Sequence, residues 1–128
     1  MTTQQRSQLA ALVKKLCHEQ RIVDTATSST VAEAESAGVA STKLKVRRYC
    51  AALEYVRKYD VAWNELLLDE QRVLTEFYGQ IKRHTGACTR MQEELCLSER
   101  QVYRHVEKAL CSFENSLTHH GLLQEESI

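Results

Sequence analysis

The sequence predicts an all-α protein, and three observations lead to this prediction. The 128 residues include no proline and only four glycines, whereas an all-β chain needs turn residues about every 8–12 positions. Long segments place large apolar residues three and four apart, which is the period of an amphipathic helix. Near the carboxyl end, two such patterns are separated by a tight break, as in a helix-turn-helix.

Charge and hydropathy exclude several classes of protein. The formal net charge is zero, which argues against a protein that coats nucleic acid without regard to sequence, since such proteins are usually basic. The longest apolar run, Leu66–Leu68, is too short to span a bilayer. The first residues lack the charged and apolar segments of a signal peptide. We therefore expect a cytoplasmic protein with no membrane partner.

The cysteines do not form a metal-binding pattern. A zinc site needs about four ligands, usually including closely spaced pairs, and cytoplasmic thiols stay reduced. We therefore expect free thiols, no metal and no cofactor. Acids, histidines and cysteines are nowhere grouped at catalytic spacing, so we do not expect an enzyme. The five cysteines are Cys17, Cys50, Cys88, Cys96 and Cys111.

Residues 1–42 are predicted to form one helix followed by a flexible linker. Apolar residues recur at helical spacing between Gln4 and Val23. From Asp24 to Thr42 the sequence is rich in Ser, Thr, Ala and Glu, and almost no large apolar side chain is present to bury. A frayed helix over Val31–Ala37 is compatible with this linker.

The segment 43–67 is predicted to be a long amphipathic helix that serves assembly. Its apolar residues alternate at steps of three and four, as in a coiled-coil seam. This seam either docks on the same chain or pairs with a second copy, and both interpretations remain open. The basic opening of the helix is either solvated or in contact with phosphates. The seam consists of Tyr49, Ala52, Val56, Tyr59, Trp63 and Leu66, and the opening has Lys43, Lys45, Arg47 and Arg48.

Two further helical patterns precede the last helix. Asp69 offers an N-cap for a third helix that is expected to end near Gly86. The segment from Cys88 to Leu95 then predicts a short helix, Cys96 and Leu97 a break, and Ser98 the cap of the next helix. The buried face of that last helix is predicted to be Val102, Val106, Ala109, Leu110 and Phe113.

In a helix-turn-helix the first helix braces the second, so that the start of the second helix can lie in the major groove. With Val102 and Val106 turned inward, Arg100 and Arg104 fall on the outer face, where arginine matches the two acceptors of guanine. Glutamine similarly matches the adenine edge, and an acid can accept from cytosine. The same pattern also fits an ordinary helix pair with solvated arginines. The predicted DNA-binding residues are Thr89, Arg90, Glu99, Arg100, Gln101, Tyr103, Arg104 and Lys108.

The run LLLDEQRVLTEFY and the segment TRMQEELCLSERQVYRHVEKALCSF resemble the sigma-factor region 4-like helix-turn-helix. Within that group they most resemble the ArpU (autolysin regulatory protein-like) family of phage regulators, over Leu66 to about Leu117. The resemblance implies a phage or prophage regulator of late or lysis genes, without enzymatic activity, whose DNA contacts lie on Ser98–Lys108. Two positions depart from the family: Gln92 replaces a frequent alanine and Cys96 a frequent glycine.

The sequence therefore predicts a sequence-specific regulator of transcription that binds double-stranded DNA as a homodimer, because one small module makes few contacts. Two alternatives remain: a DNA-packaging accessory protein of the small-terminase kind, and an interaction protein that contacts the transcription machinery, such as RNA polymerase. The expected organisation is 1–42 helix and linker, 43–67 assembly helix, 68–118 DNA-binding domain and 119–128 tail.

Overall fold

The computed structural model describes residues 2–79 and 86–123, except for the side chain of Ala87. These residues contain helices and no strand, which confirms the all-α prediction. None of the described helices is both long and apolar enough to cross a membrane. The helices are α1 (Thr3–Thr25), α2 (Ser28–Ala37), a single 3₁₀ turn (Gly38–Ala40), α3 (Leu44–Asn64), α4 (Leu68–Tyr78), α5 (Ala87–Leu95) and α6 (Glu99–His119).

One hydrophobic core joins five of these helices. The carboxy-terminal helix α6 contributes the largest share of it, and α1, α3, α4 and α5 pack around that helix. The predicted assembly helix and the predicted DNA-binding domain are therefore parts of one packing unit, to which the amino-terminal helix also belongs. Buried members are Leu9, Val13 and Leu16 from α1, Tyr59, Ala62 and Leu66 from the α3 region, Val73 and Leu74 from α4, Met91 from α5, and Val102, Val106, Ala109, Leu110, Phe113 and Leu117 from α6.

The seam on α3 packs within the chain, against α1 and α6. Tyr49, Ala52 and Tyr59 are buried. The ring of Trp63 meets the ring of Phe113 edge-on, with centroids 5.5 Å apart. Of the two interpretations of this seam, docking on the same chain is the one that the structure displays. Most of the surface expected to hold a homodimer is therefore covered within the chain.

The segment 24–42 differs from the expected flexible linker, because most of it forms α2 and the 3₁₀ turn. Thr27 caps α2 with a side chain that accepts from a backbone N–H. Glu33 pairs with Lys43 at 3.0 Å and accepts from the hydroxyl of the buried Ser41 at 3.3 Å. The helix lies against α3 without burying any residue fully. Small side chains and a few polar contacts thus replace the large apolar residues whose absence predicted a linker.

The start of α4 also differs from the prediction. Asp69 is not the N-cap but lies in the first turn, where a negative charge complements the helix dipole. The cap position is Leu67, whose backbone N–H donates to the carboxylate of Glu70 at 3.1 Å. The helix ends at Tyr78. Its predicted continuation towards Gly86 falls on residues 80–85, outside the described part of the chain.

Candidate nucleic-acid interface

Three residues, Cys96, Leu97 and Ser98, join α5 to α6. The backbone of Cys96 is left-handed, with φ 54° and ψ 40°, and its N–H donates to the carbonyl of Gln92. This is the usual way for a helix to stop sharply, and glycine is the usual residue for it. Leu97 is partly buried against the core. The break thus lies where the sequence predicts it, at the cost of a strained cysteine.

A capping box fixes the first turn of α6. The hydroxyl of Ser98 accepts from the backbone N–H of Gln101 at 3.2 Å. In return, the Gln101 side-chain oxygen accepts from the backbone N–H of Ser98 at 2.8 Å. Two unsatisfied donors of the helix start are paired in this way, which confirms Ser98 as the predicted cap. Because the carboxamide of Gln101 is engaged here, contact with an adenine edge would require this bond to break.

The inner face of α6 is buried as predicted. Val102, Leu110 and Phe113 have no exposed surface, and Val106 and Ala109 are nearly as well covered. Val73 and Leu74 of α4 and Met91 of α5 lie in the same core. Packing therefore fixes the rotation of α6 about its own axis. This rotation determines which of its side chains face solvent.

A row of basic side chains lies on the exposed face of α6. Arg100, Arg104 and Lys108 are all exposed and are spaced four residues apart, which aligns them along one side of a helix. None of the three has an ion-pair partner among residues 2–79 and 86–123. Glu99 is also exposed, in the first turn. The row is therefore available to an anionic ligand.

Tyr103 stands beside this row with half of its surface exposed. Its ring meets the ring of Phe77 from α4 edge-on, at a centroid distance of 5.9 Å. The neighbouring Cys88 of α5, followed by partial burial, raises the pKa of the phenol. Like any tyrosine, the side chain is protonated at neutral pH and can donate a hydrogen bond. The side chain therefore contacts both α4 and α5, which pack near the start of α6.

The two predicted DNA-binding residues of α5 differ from each other. Thr89 is exposed. Arg90 is half-buried, and its Nη2 is shielded from solvent without a hydrogen-bond partner among the described residues. Its Nη1 lies so close to Gly86 that a Cβ there would meet it at 2.9 Å. In this conformation the guanidinium of Arg90 lies over the backbone of Gly86 instead of extending outward.

One basic residue near this surface is missed by the sequence analysis. Arg6 of α1 forms an ion pair with Glu107 of α6 at 2.8 Å, and both side chains are about half exposed. The pairing neutralises the acid next to Lys108. Residues a hundred positions apart leave no local pattern, so no signal in the sequence indicates this contact.

The basic opening of α3 lies elsewhere. Lys43 pairs with Glu33 of α2, and Arg48 contacts His18 in the second half of α1 at 3.3 Å. The contacts between α3 and α6 involve the other end of α3, near Ala62 and Trp63. The opening is thus not adjacent to the first turns of α6, and the structure gives no support for a shared phosphate surface.

Comparisons with protein-family models, with curated proteins and with solved structures found no significant match to the chain. A functional assignment therefore depends on the surface itself. That surface combines the exposed row Arg100, Arg104 and Lys108 with Tyr103 at its side, on a helix whose start is capped and whose other face is buried.

Proposed function

We propose that the protein is a sequence-specific, DNA-binding regulator of transcription that contacts double-stranded DNA with the start of α6. The observation that supports this most directly is the unpaired basic row on a helix whose rotation and first turn are both fixed. The proposal includes a cytoplasmic location, a phage or prophage origin and control of late or lysis genes, which the resemblance to ArpU-like regulators suggests. It assigns the chain no catalytic activity.

In the proposed complex, α5 braces α6 and the first turns of α6 enter the major groove. Arg100 and Arg104 lie nearest the start of the helix, where base edges are contacted in this arrangement. Each guanidinium can donate two hydrogen bonds to a guanine. Lys108 lies one turn further along and suits a phosphate, as does the phenol of Tyr103. Glu99 stabilises the amino terminus of the helix and can accept from a cytosine amine.

A net charge of zero is compatible with this function because the positive charge is concentrated locally. Arg6 adds to the concentration by neutralising Glu107. Few contacts are made by one copy, so tight binding is expected to need two copies on a pseudo-palindromic site. This dimer remains a proposal, and the α3 seam is not its interface in the structure described above.

The decisive experiment is selection of bound DNA from a random pool, followed by affinity measurements on the selected site. Arg100→Ala and Arg104→Ala should each weaken binding by about 1–3 kcal/mol and relax specificity at one position. Lys108→Ala should weaken binding to all sequences and reduce the salt dependence of the affinity. Arg47→Ala is the matched control, since Arg47 is an exposed arginine of α3 away from the proposed interface.

Two outcomes would contradict the proposal. One is a double variant, R100A/R104A, that keeps its helical circular dichroism spectrum and binds the selected site as well as the parent. The other is a parent protein whose DNA binding is absent or independent of salt. The second outcome would favour an interaction protein that contacts the transcription machinery, and a ring-shaped oligomer would favour a DNA-packaging accessory protein.

A further inference from the structure

The carboxyl ends of α3 and α6 meet and bring together one acid and two histidines. Glu65 follows the last turn of α3, and His119 and His120 end α6. One ligand atom from each of the three side chains lies within 4.8 Å of the other two. His120 Nε2 and Glu65 Oε1 are 2.6 Å apart, and the centroids of the two imidazole rings are 5.0 Å apart.

The surroundings of this cluster favour a cation. Each helix carries partial negative charge at its carboxyl end, and here two such ends converge. Ser116 Oγ lies 2.9 Å from Glu65 Oε2 and 2.7 Å from the carbonyl of Ala62. The buried hydroxyl of Ser116 thus helps to fix the orientation of the Glu65 carboxylate.

We propose that Glu65, His119 and His120 form a binding site for a divalent transition-metal ion of the zinc type. Two imidazole nitrogens and one carboxylate oxygen are a ligand set that zinc accepts, with a water in the fourth position. Imidazole ligands disfavour magnesium and calcium, which prefer oxygen ligands. The site departs from the expectation of no metal, which depended on cysteine spacing and did not consider histidines from distant segments.

The geometry needs only a small adjustment. With metal–ligand bonds of about 2.0–2.2 Å, the ligand atoms of a tetrahedral site lie roughly 3.3–3.5 Å apart. The contact between Glu65 Oε1 and His120 Nε2, now 2.6 Å, must lengthen to reach this spacing. Glu65 and His119 are exposed and the His120 side chain retains a quarter of its surface, so the side chains can turn and an ion can enter from solvent.

A bound ion would clamp the end of α6 to the end of α3. The start of α6, with Arg100, is about 30 Å away along the helix axis. The metal should therefore raise thermal stability without changing DNA affinity. For the same reason, a protein that binds no metal could still bind DNA, and a protein that binds no DNA could still bind the metal. The two proposals can therefore be refuted independently.

The test is titration of Zn²⁺ into the reduced, chelator-treated full chain by calorimetry, together with the visible spectrum of the Co²⁺ complex. We expect one ion per chain, a melting temperature that rises with Zn²⁺, and a Co²⁺ spectrum without thiolate charge transfer. Glu65→Gln, His119→Ala and His120→Ala should each weaken Zn²⁺ binding at least about tenfold, since even residues that only orient a ligand commonly matter that much. His105→Ala, at an exposed histidine of the same helix, should leave it unchanged.

His119→Ala is the variant least expected to impair folding, because in the part of the chain that the structure describes the His119 ring contacts the His120 ring and forms no hydrogen bond or ion pair. Undiminished Zn²⁺ binding in H119A and H120A would overturn the proposal. A thiolate charge-transfer band would do so as well, since it would place the ion on cysteines. Absence of stoichiometric binding by the parent would be equally decisive.

Discussion

Replacing Cys96 by glycine should stabilise the protein. Cys96 is the one non-glycine residue with positive φ in the part of the chain that the structure describes. A left-handed backbone costs an L-residue about 1–2 kcal/mol, whereas glycine adopts it freely. Glycine in turn loses more conformational entropy on folding, roughly 0.5–1 kcal/mol. Because the Cys96 side chain is exposed, little packing is lost, and the net gain should be about 0.5–1 kcal/mol.

Thermal unfolding under reducing conditions, followed by circular dichroism, measures this gain. For a chain of this length the melting temperature should rise by about 2–5 °C. Cys96→Ala is the control, because it removes the thiol but keeps the Cβ that causes the strain, and its melting temperature should stay close to that of the parent. The reasoning is refuted if the glycine variant is no more stable than the alanine variant. Since the turn keeps its geometry, affinity for the selected DNA site should not fall.

Three further predictions concern the cap of α6, the stability of the protein at low pH and the reactivity of its thiols. Ser98→Ala should cost about 1 kcal/mol in urea denaturation by removing the capping box, and a loss no larger than that of an exposed mid-helix Ser→Ala change would contradict it. The lowered pKa of Glu65 should contribute stability that is present at neutral pH and is lost as the pH falls below the ordinary value of 4.5. Glu65→Gln should therefore be less stable than the parent at neutral pH, and the difference should shrink in acid; a constant difference would exclude this cause. All five thiols should titrate in unreduced, denatured protein. In the native protein the exposed Cys96 should react with a thiol reagent before Cys17, since burial raises the pKa of the Cys17 thiol, and the reverse order would be incompatible with the structure.

The last helix could be predicted from the sequence because every local signal there agrees. The apolar spacing, the Ser98 cap and the break at Cys96 all indicate the same start and the same inner face. The structure buries that face from Val102 to Phe113. The exposure of Arg100 and Arg104 then follows from helical geometry alone, without any knowledge of distant contacts.

The remaining features depend on contacts between distant segments, which local patterns do not reveal. The helix α2 lacks large apolar residues, and Glu33 and Lys43 contribute to its docking. The position of Arg90 depends on its close approach to Gly86. Glu65 and His120 are 55 positions apart, and only the packing of α3 on α6 brings them together.

The packing of the α3 seam determines which experiment can test dimerisation. Val56 is half-buried and lines a cavity of about 300 Å³ bordered by α1, α3 and α4, together with Leu16 and Trp63. Val56→Glu would place a charge against these side chains, so it should lower the melting temperature even in a monomer. Loss of DNA binding by that variant would then report lost stability and not lost pairing.

The informative measurement is sedimentation of the parent across a range of concentrations, with and without the selected DNA. A second copy that binds only when DNA is present would support cooperative binding to two half-sites. A monomer in every condition would contradict the proposed homodimer while leaving the DNA contacts of α6 to be judged by Arg100→Ala and Arg104→Ala.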